Sequence, residues 1–343
     1  MRHIKQLCYT ILLIGLSAAA CSEPEDKYYI MDSLRVMAVK AEKPWLSFGE
    51  STSLDALVFN PEAEALSYKW SWCPARLNSV TGYACPLDQA ALDALVTQTS
   101  EGELTAPSLD LGTEATASFD NAFPGELLTA ICYGALEGSG NIGAAEIDCA
   151  STYGISIVLE VSNSSETITA IKDLQLIIDS SLSANQNPTI DGLSLTEFDS
   201  TMTDEEVEDQ LESFATEAES FSATQVYNVV AEKKYALFAD ISEDAAETYE
   251  SPASDETAQA ESIQEALVIS WFIEVGEFQS TRTGYIPDEI DLATAAANVW
   301  TPPLDLSEYE KSTAKIYVVV RDDRAGSTWL ERSFDLSALE DSQ

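Results

Sequence analysis

Six cysteines, one histidine and a large excess of carboxylates are the groups in this chain that could do chemistry. The histidine, His3, lies in an N-terminal segment that reads as a secretory signal. Arg2, His3 and Lys5 precede the apolar run Leu7 to Gly15 and the small residues Ser17-Ala18-Ala19-Ala20. After processing no histidine would remain. That removes Ser-His-Asp and Cys-His nucleophile activation, histidine-ligated metals and imidazole acid–base work. Cys8 leaves with the signal, while Cys73, Cys85, Cys132 and Cys149 form an even set suited to two disulfides in an oxidising compartment. Oxidised, they offer neither a thiolate nucleophile nor a four-thiolate metal site. The simplest pairing joins neighbours, Cys73 with Cys85 and Cys132 with Cys149, each closing a short loop worth about 3 kcal/mol. Cys73 with Cys132 is the rival. Cys21 is the odd thiol.

Other candidate chemistry is less specific. Carboxylate pairs can be drawn anywhere among 59 acids, so no catalytic residue is assigned. Asp322-Asp323, flanked by Arg321 and Arg324, could offer oxygens to calcium, but no EF-hand loop or Gly/Asp nonapeptide accompanies them, and a charged hairpin tip is the simpler reading. Trp70, Trp72 and Trp271 could form a sugar platform, yet they sit in alternating strands and are expected in the core, with Trp72 the one to watch. No metal or cofactor is expected.

The cut after Ala20 would leave Cys21 first, and on these residues the segment resembles the lipobox of bacterial lipoproteins, whose cysteine is acylated. The family usually has Leu three residues before the cysteine; here Ala18 stands there, and Ala18-Ala19-Ala20 also suits ordinary signal peptidase. Lipidation accounts for the odd cysteine, which secretion alone does not. In that family Asp after the cysteine is the inner-membrane retention signal; Ser22 stands here, which implies the outer membrane. The stretch 21–31 reads as an acidic tether, reaching on the order of 25 Å up to Tyr29.

With 17 basic and 59 acidic residues the formal net charge is −42, and removal of Arg2 and Lys5 makes it two units more negative. Such a surface repels phosphate backbones, so nucleic acid is excluded as a partner. The acid is spread along a chain with 45% apolar residues, the composition of a folded body, and no second stretch of membrane-spanning length follows the signal.

The remainder alternates like β-structure. Strands are expected around Leu34 to Ala38, Ser53 to Phe59, Leu66 to Cys73, Ala115 to Phe119, Leu127 to Gly134, Tyr153 to Val161 and Ile168 to Ile178. A helix is expected over Asp88 to Gln98. The polar stretch 180–188 separates the halves. In the second half, Thr203-Asp204-Glu205-Glu206 makes a capping box for an acidic inserted helix, Ser242 to Ile263 reads as a mobile loop, and strands are expected at Thr189 to Leu195, Tyr235 to Ile241, Leu267 to Ile273, Lys315 to Arg321 and Trp329 to Leu336. The halves align, Tyr68-Lys69-Trp70 with Ile269-Ser270-Trp271 and Ala130 to Tyr133 with Tyr317 to Val320. Two tandem antiparallel β-sandwiches, over 32–180 and 187–338, follow.

At Gly49 to Ala56 and Tyr68 to Trp70 the chain resembles immunoglobulin-like domains of the PKD type, and with Arg321 to Gly326 and Trp329 it is similar to a group of two-domain lipoproteins of Gram-negative bacteria. The resemblance implies an all-β, immunoglobulin-like fold held at the membrane by a lipid on Cys21, with no catalytic residues. The expected function is a non-enzymatic structural or binding module of the cell envelope, with an envelope protein or a glycan as partner. The alternatives are a carbohydrate-binding or carboxylate-dependent glycan-active surface protein and an accessory subunit docking through Thr203 to Phe221.

Overall fold

A computed structural model describes residues 31–77, 83–125, 127–129, 151–251, 261–304, 306 and 312–342. Cys21, Cys132 and Cys149, and with them the expected anchor and second disulfide, lie outside the described residues.

The first half folds into eight strands: β1 (Arg35–Ala41), β2 (Trp45–Leu46), β3 (Ser51–Phe59), β4 (Ser67–Cys73), β5 (Asp110–Gly112), β6 (Ala117–Asp120), β7 (Thr152–Ser162) and β8 (Thr167–Ile177). They form two sheets, ordered β1-β3-β6 and β2-β8-β7-β4-β5. The second half contributes β9 (Gly192–Asp199), β10 (Glu219–Phe221), β11 (Val226–Asn228), β12 (Lys233–Asp240), β13 (Thr248–Ser251), β14 (Glu261–Gln264), β15 (Leu267–Ile273), β16 (Glu277–Phe278), β17 (Arg282–Tyr285), β18 (Ala297–Thr301), β19 (Thr313–Asp322) and β20 (Ser327–Asp335). Its sheets run β10-β9-β12-β18-β16 and β11-β20-β19-β15-β17, with β13-β14 as a separate hairpin. In each half a short strand joins the second sheet in parallel, β2 beside β8 and β11 beside β20, and the other ladders are antiparallel. The same connectivity thus occurs twice, and the protein is an all-β pair of immunoglobulin-like sandwiches.

The cores follow from the period of two. Trp70 on β4 lies opposite Leu159 of β7, and Trp271 on β15 lies opposite Val318 of β19. Both indoles have no exposed surface, and each donates its ring N–H, Trp70 to the Glu114 carbonyl at 3.0 Å and Trp271 to Thr283 Oγ1 at 3.1 Å. Trp72 is buried as well, against the rings of Phe119 and Phe123 at 5.2 and 5.8 Å. No sugar platform stands at these three residues. Cys73, at the end of β4, is bonded to Cys85, twelve residues on.

Two helices cover what the sheets leave open. Helix α1 (Gln89–Thr99) is capped by Asp88, whose carboxylate accepts from the Ala91 amide at 2.9 Å, and it buries Leu92 and Val96 in the first core. Helix α2 (Asp204–Glu217) carries the expected capping box between Thr203 and Glu206. Its Val207 and Phe214 pack on Phe198, Ala236 and Val299, the residues of β9, β12 and β18 that point away from the second core.

Three expectations are corrected. Residues 127–129 are helical, not the start of a strand. The counterpart of Tyr317 to Val320 is β7, which lies between β4 and β8 as β19 lies between β15 and β20; Ala130 to Tyr133 are outside the described residues. The polar stretch after Ile241 contains a turn at Glu243–Ala245 and the hairpin β13-β14, in which Thr248 pairs with Gln264.

Candidate binding site at the junction of the two sandwiches

Strand β19 is apolar on both faces. Ile316, Val318 and Val320 enter the second core, while Tyr317 and Val319, with Phe272 of β15, meet Met31, Met37, Ala38, Leu57 and Phe59 of the first half. A run such as Ile-Tyr-Val-Val-Val is what a strand buried on two sides requires. Strand β1 meets the same demand through a break in register between Val36 and Ala38: Val39 and Ala41 face its own core, and Met37 and Ala38 face the other sandwich.

Because β1 pairs only with β3, its other edge would leave backbone carbonyls unsatisfied. Side chains from the second half and the linker close it. Arg321 Nη2 donates to the Met37 carbonyl at 2.6 Å, Ser327 Oγ to that of Val39 at 2.9 Å, and Asn187 Nδ2 to that of Ala41 at 2.8 Å. The hairpin carrying Arg321 and Ser327 is organised by Asp322. Its Oδ1 accepts from the amides of Arg324 and Gly326 at 2.8 and 2.6 Å, and its Oδ2 accepts from Asn185 Nδ2 at 3.1 Å. Gly326 is required here, since a Cβ would come within 1.9 Å of Asp322 Oδ2 and 2.9 Å of the Gln186 carbonyl.

Arg324 locks the turn. Its guanidinium lies between Trp45 and Tyr249, 4.5 and 4.2 Å from the ring centres, and its Nη1 is 3.2 Å from Glu265 Oε1. Trp45 Nε1 donates to the Arg324 carbonyl at 2.8 Å. Glu265 is wholly buried, and burial, reinforced by the nearby Asp322 charge, pushes its carboxyl up to about 7 against the pull of its hydrogen bond from the Glu247 amide and of Arg324. Burial also raises Asp322 above the ordinary carboxylate value, opposed by its hydrogen bonds. Lys172 lies in step with the core residues Leu174 and Leu176 of β8, and its ammonium reaches the Ala325 carbonyl and, at 3.0 Å, Ser327 Oγ. Burial lowers it to about 8.

Between β1, β8 and this hairpin is a cavity of about 400 Å³ lined by Val36 to Val39, Arg76, Ala170 to Asp173, Gln175 and residues 321–326. Its volume is that of a small-molecule site. The hairpin expected to stand free at a tip is therefore part of the junction. The carboxylate of Asp322 is turned toward N–H donors, an environment for an anion and not for calcium. Among the described residues no cluster of three or more potential metal ligands occurs. Sequence reasoning missed Lys172, Arg76, Asn185, Asn187 and Glu265. A signal existed for the first, since a lysine in phase with Ala170, Leu174 and Leu176 breaks a core-facing pattern.

No family model and no curated protein matches the chain. Among solved structures it is similar to dimeric latent PorU from Porphyromonas gingivalis, at 11% identity and a TM-score of 0.18, over 90% of this chain and 24% of that one. The three N-terminal domains of the bacteriophage RB49 outer capsid protein Hoc match at 9% identity and 0.18, over 89% and 99% of the two chains. The protocadherin GammaB4 extracellular domain matches at 9% and 0.17, over 88% and 34%. The chain spans about a quarter of PorU, and overlaps this low carry no argument about function.

Proposed function

We propose that this chain is a lipid-anchored, non-enzymatic module of the bacterial outer membrane, of the two-domain lipoprotein kind it resembles, acting as a stiff spacer and binding body. The observation that carries this reading is the position of Met31. It is buried in the apolar cluster between the sandwiches, only ten residues after Cys21. A lipid on Cys21 would hold the protein by its waist, within about 35 Å of the bilayer at roughly 3.5 Å per residue. The capped edge of β1 and the Arg324 clamp would then transmit any load between anchor and both domains without a hinge. Among the described residues no helix is long and apolar enough to cross a membrane.

The test is the chemistry of the N-terminus in a Gram-negative host. The expected mature protein begins at Cys21 with a mass raised by acyl chains, and Cys21→Ala leaves the membrane fraction. An unmodified Cys21 in the mass spectrum overturns the proposal.

A further inference from the structure

We propose that the junction cavity binds a small amphiphilic oxyanion, one carboxylate or phosphate group on an apolar body, with Arg76 taking the charge. In a chain with 17 basic residues, Arg76, Lys172, Arg321 and Arg324 all line this one cavity. Three acids line it beside these four cations: Asp322 is engaged by the amides of its own turn and Asp173 through Oδ1, which accepts from Ser156 Oγ at 2.7 Å, while Asp323 is exposed to solvent. Lys172, buried in the wall, donates to neutral oxygens of Ala325 and Ser327. Val36, Ala38, Ala170 and Ile171 supply the apolar wall.

Arg76 is the cation of this cavity whose head is left open to a ligand. Although 59 acids are present, it makes no hydrogen bond or ion pair among the described residues, and it is exposed at the cavity rim. The fold nevertheless makes room for it. Gly154 interrupts the long strand β7, where glycine weakens a sheet, and a Cβ there would come within 2.1 Å of Arg76 Nε and 2.8 Å of its Cδ. The strand thus gives up a side chain so that the arginine stem can lie flat across it. A guanidinium held by its stem and left open at its head matches the two oxygens of a carboxylate or phosphate. The site does not depend on lipidation, and Cys21→Ala is expected to bind as the unaltered chain does, so its failure and that of the anchor are separable.

Titration calorimetry of the full chain with inorganic phosphate, octanoate and 1-octanol tests the proposal. Octanoate is expected to bind more tightly than phosphate, which lacks an apolar body, and octanol is expected not to bind. Arg76→Ala should weaken octanoate about tenfold or more, Arg76→Lys less, and Gly154→Ala about as much as Arg76→Ala while leaving every charge in place. Melting curves establish that each variant folds, and should one of them not fold, the other decides. If neither anion binds, if octanol binds as well as octanoate, or if the folded variants bind octanoate unchanged, the proposal is wrong.

Discussion

Glu265 shows at the scale of a single residue how the junction is tuned. Its carboxylate has no exposed surface, sits 3.2 Å from Arg324 and accepts the Glu247 amide at 3.0 Å, with the charges of Asp322 and Glu247 nearby. Burial and these acids outweigh the arginine, so the folded state holds the proton up to about 7, against 4.5 for a free side chain. Because the folded value is raised, the stabilising contribution is fully present below the unfolded value and is lost as pH rises through 7. At most about 3 kcal/mol follows from a shift of this size. Glu265→Gln should therefore flatten the fall in stability between pH 4.5 and 7.5, measured by urea midpoints against the unaltered chain. The variant difference cancels the general relief of charge repulsion, which both proteins share. Equal slopes would show that Glu265 stays ionised in its pairing with Arg324.

Elements differ in how far they could be read in advance. The strands around Trp70 and Trp271, the Thr203 capping box and the neighbour pairing of Cys73 with Cys85 rest on local pattern, and each is present. What pattern could not give was partnership. Ala130 to Tyr133 and β7 both contain apolar runs, and only sheet order identifies the one beside β4. The hairpin 321–327 looks solvent-exposed because the partners of Arg321, Asp322 and Ser327, which are Met37, Asn185 and Asn187, lie more than a hundred residues away. The Cys73–Cys85 bridge carries the clearest prediction at this scale. It ties the end of β4 to the segment leading into α1, and the chain-entropy model assigns a loop of twelve residues about 3 kcal/mol. Cys85→Ser should lower the unfolding free energy by about that amount under oxidising conditions and by nothing once the unaltered chain is reduced. A loss below about 0.5 kcal/mol would mean that the surrounding loop is already held in the unfolded ensemble.

At the scale of the whole molecule the question is whether two sandwiches make one body. Tandem immunoglobulin-like domains joined only by a linker move independently by default. Here the outward face of β15 and β19 carries an apolar centre of Phe272, Tyr317 and Val319, and it closes on Met37, Ala38, Leu57 and Phe59, with Trp329 packed at the margin. Exposing that face would uncover a contiguous apolar patch and at the same moment release the carbonyls of Met37, Val39 and Ala41 that Arg321, Ser327 and Asn187 satisfy. Each loss raises the cost of the other, so separation without unfolding is disfavoured and the chain should melt in a single calorimetric transition, with calorimetric and van't Hoff enthalpies equal. Val319, buried in the shared face and not in the second core, separates the alternatives. Val319→Asp places an unpaired charge in the junction at a cost of several kcal/mol while leaving both cores intact. Two resolved transitions are expected from that variant, whereas Val318→Asp, on the inward face of the same strand, should unfold the second sandwich outright. Two transitions in the unaltered chain would make the junction a contact between independent domains, and the waist-held spacer would lose its stiffness with it.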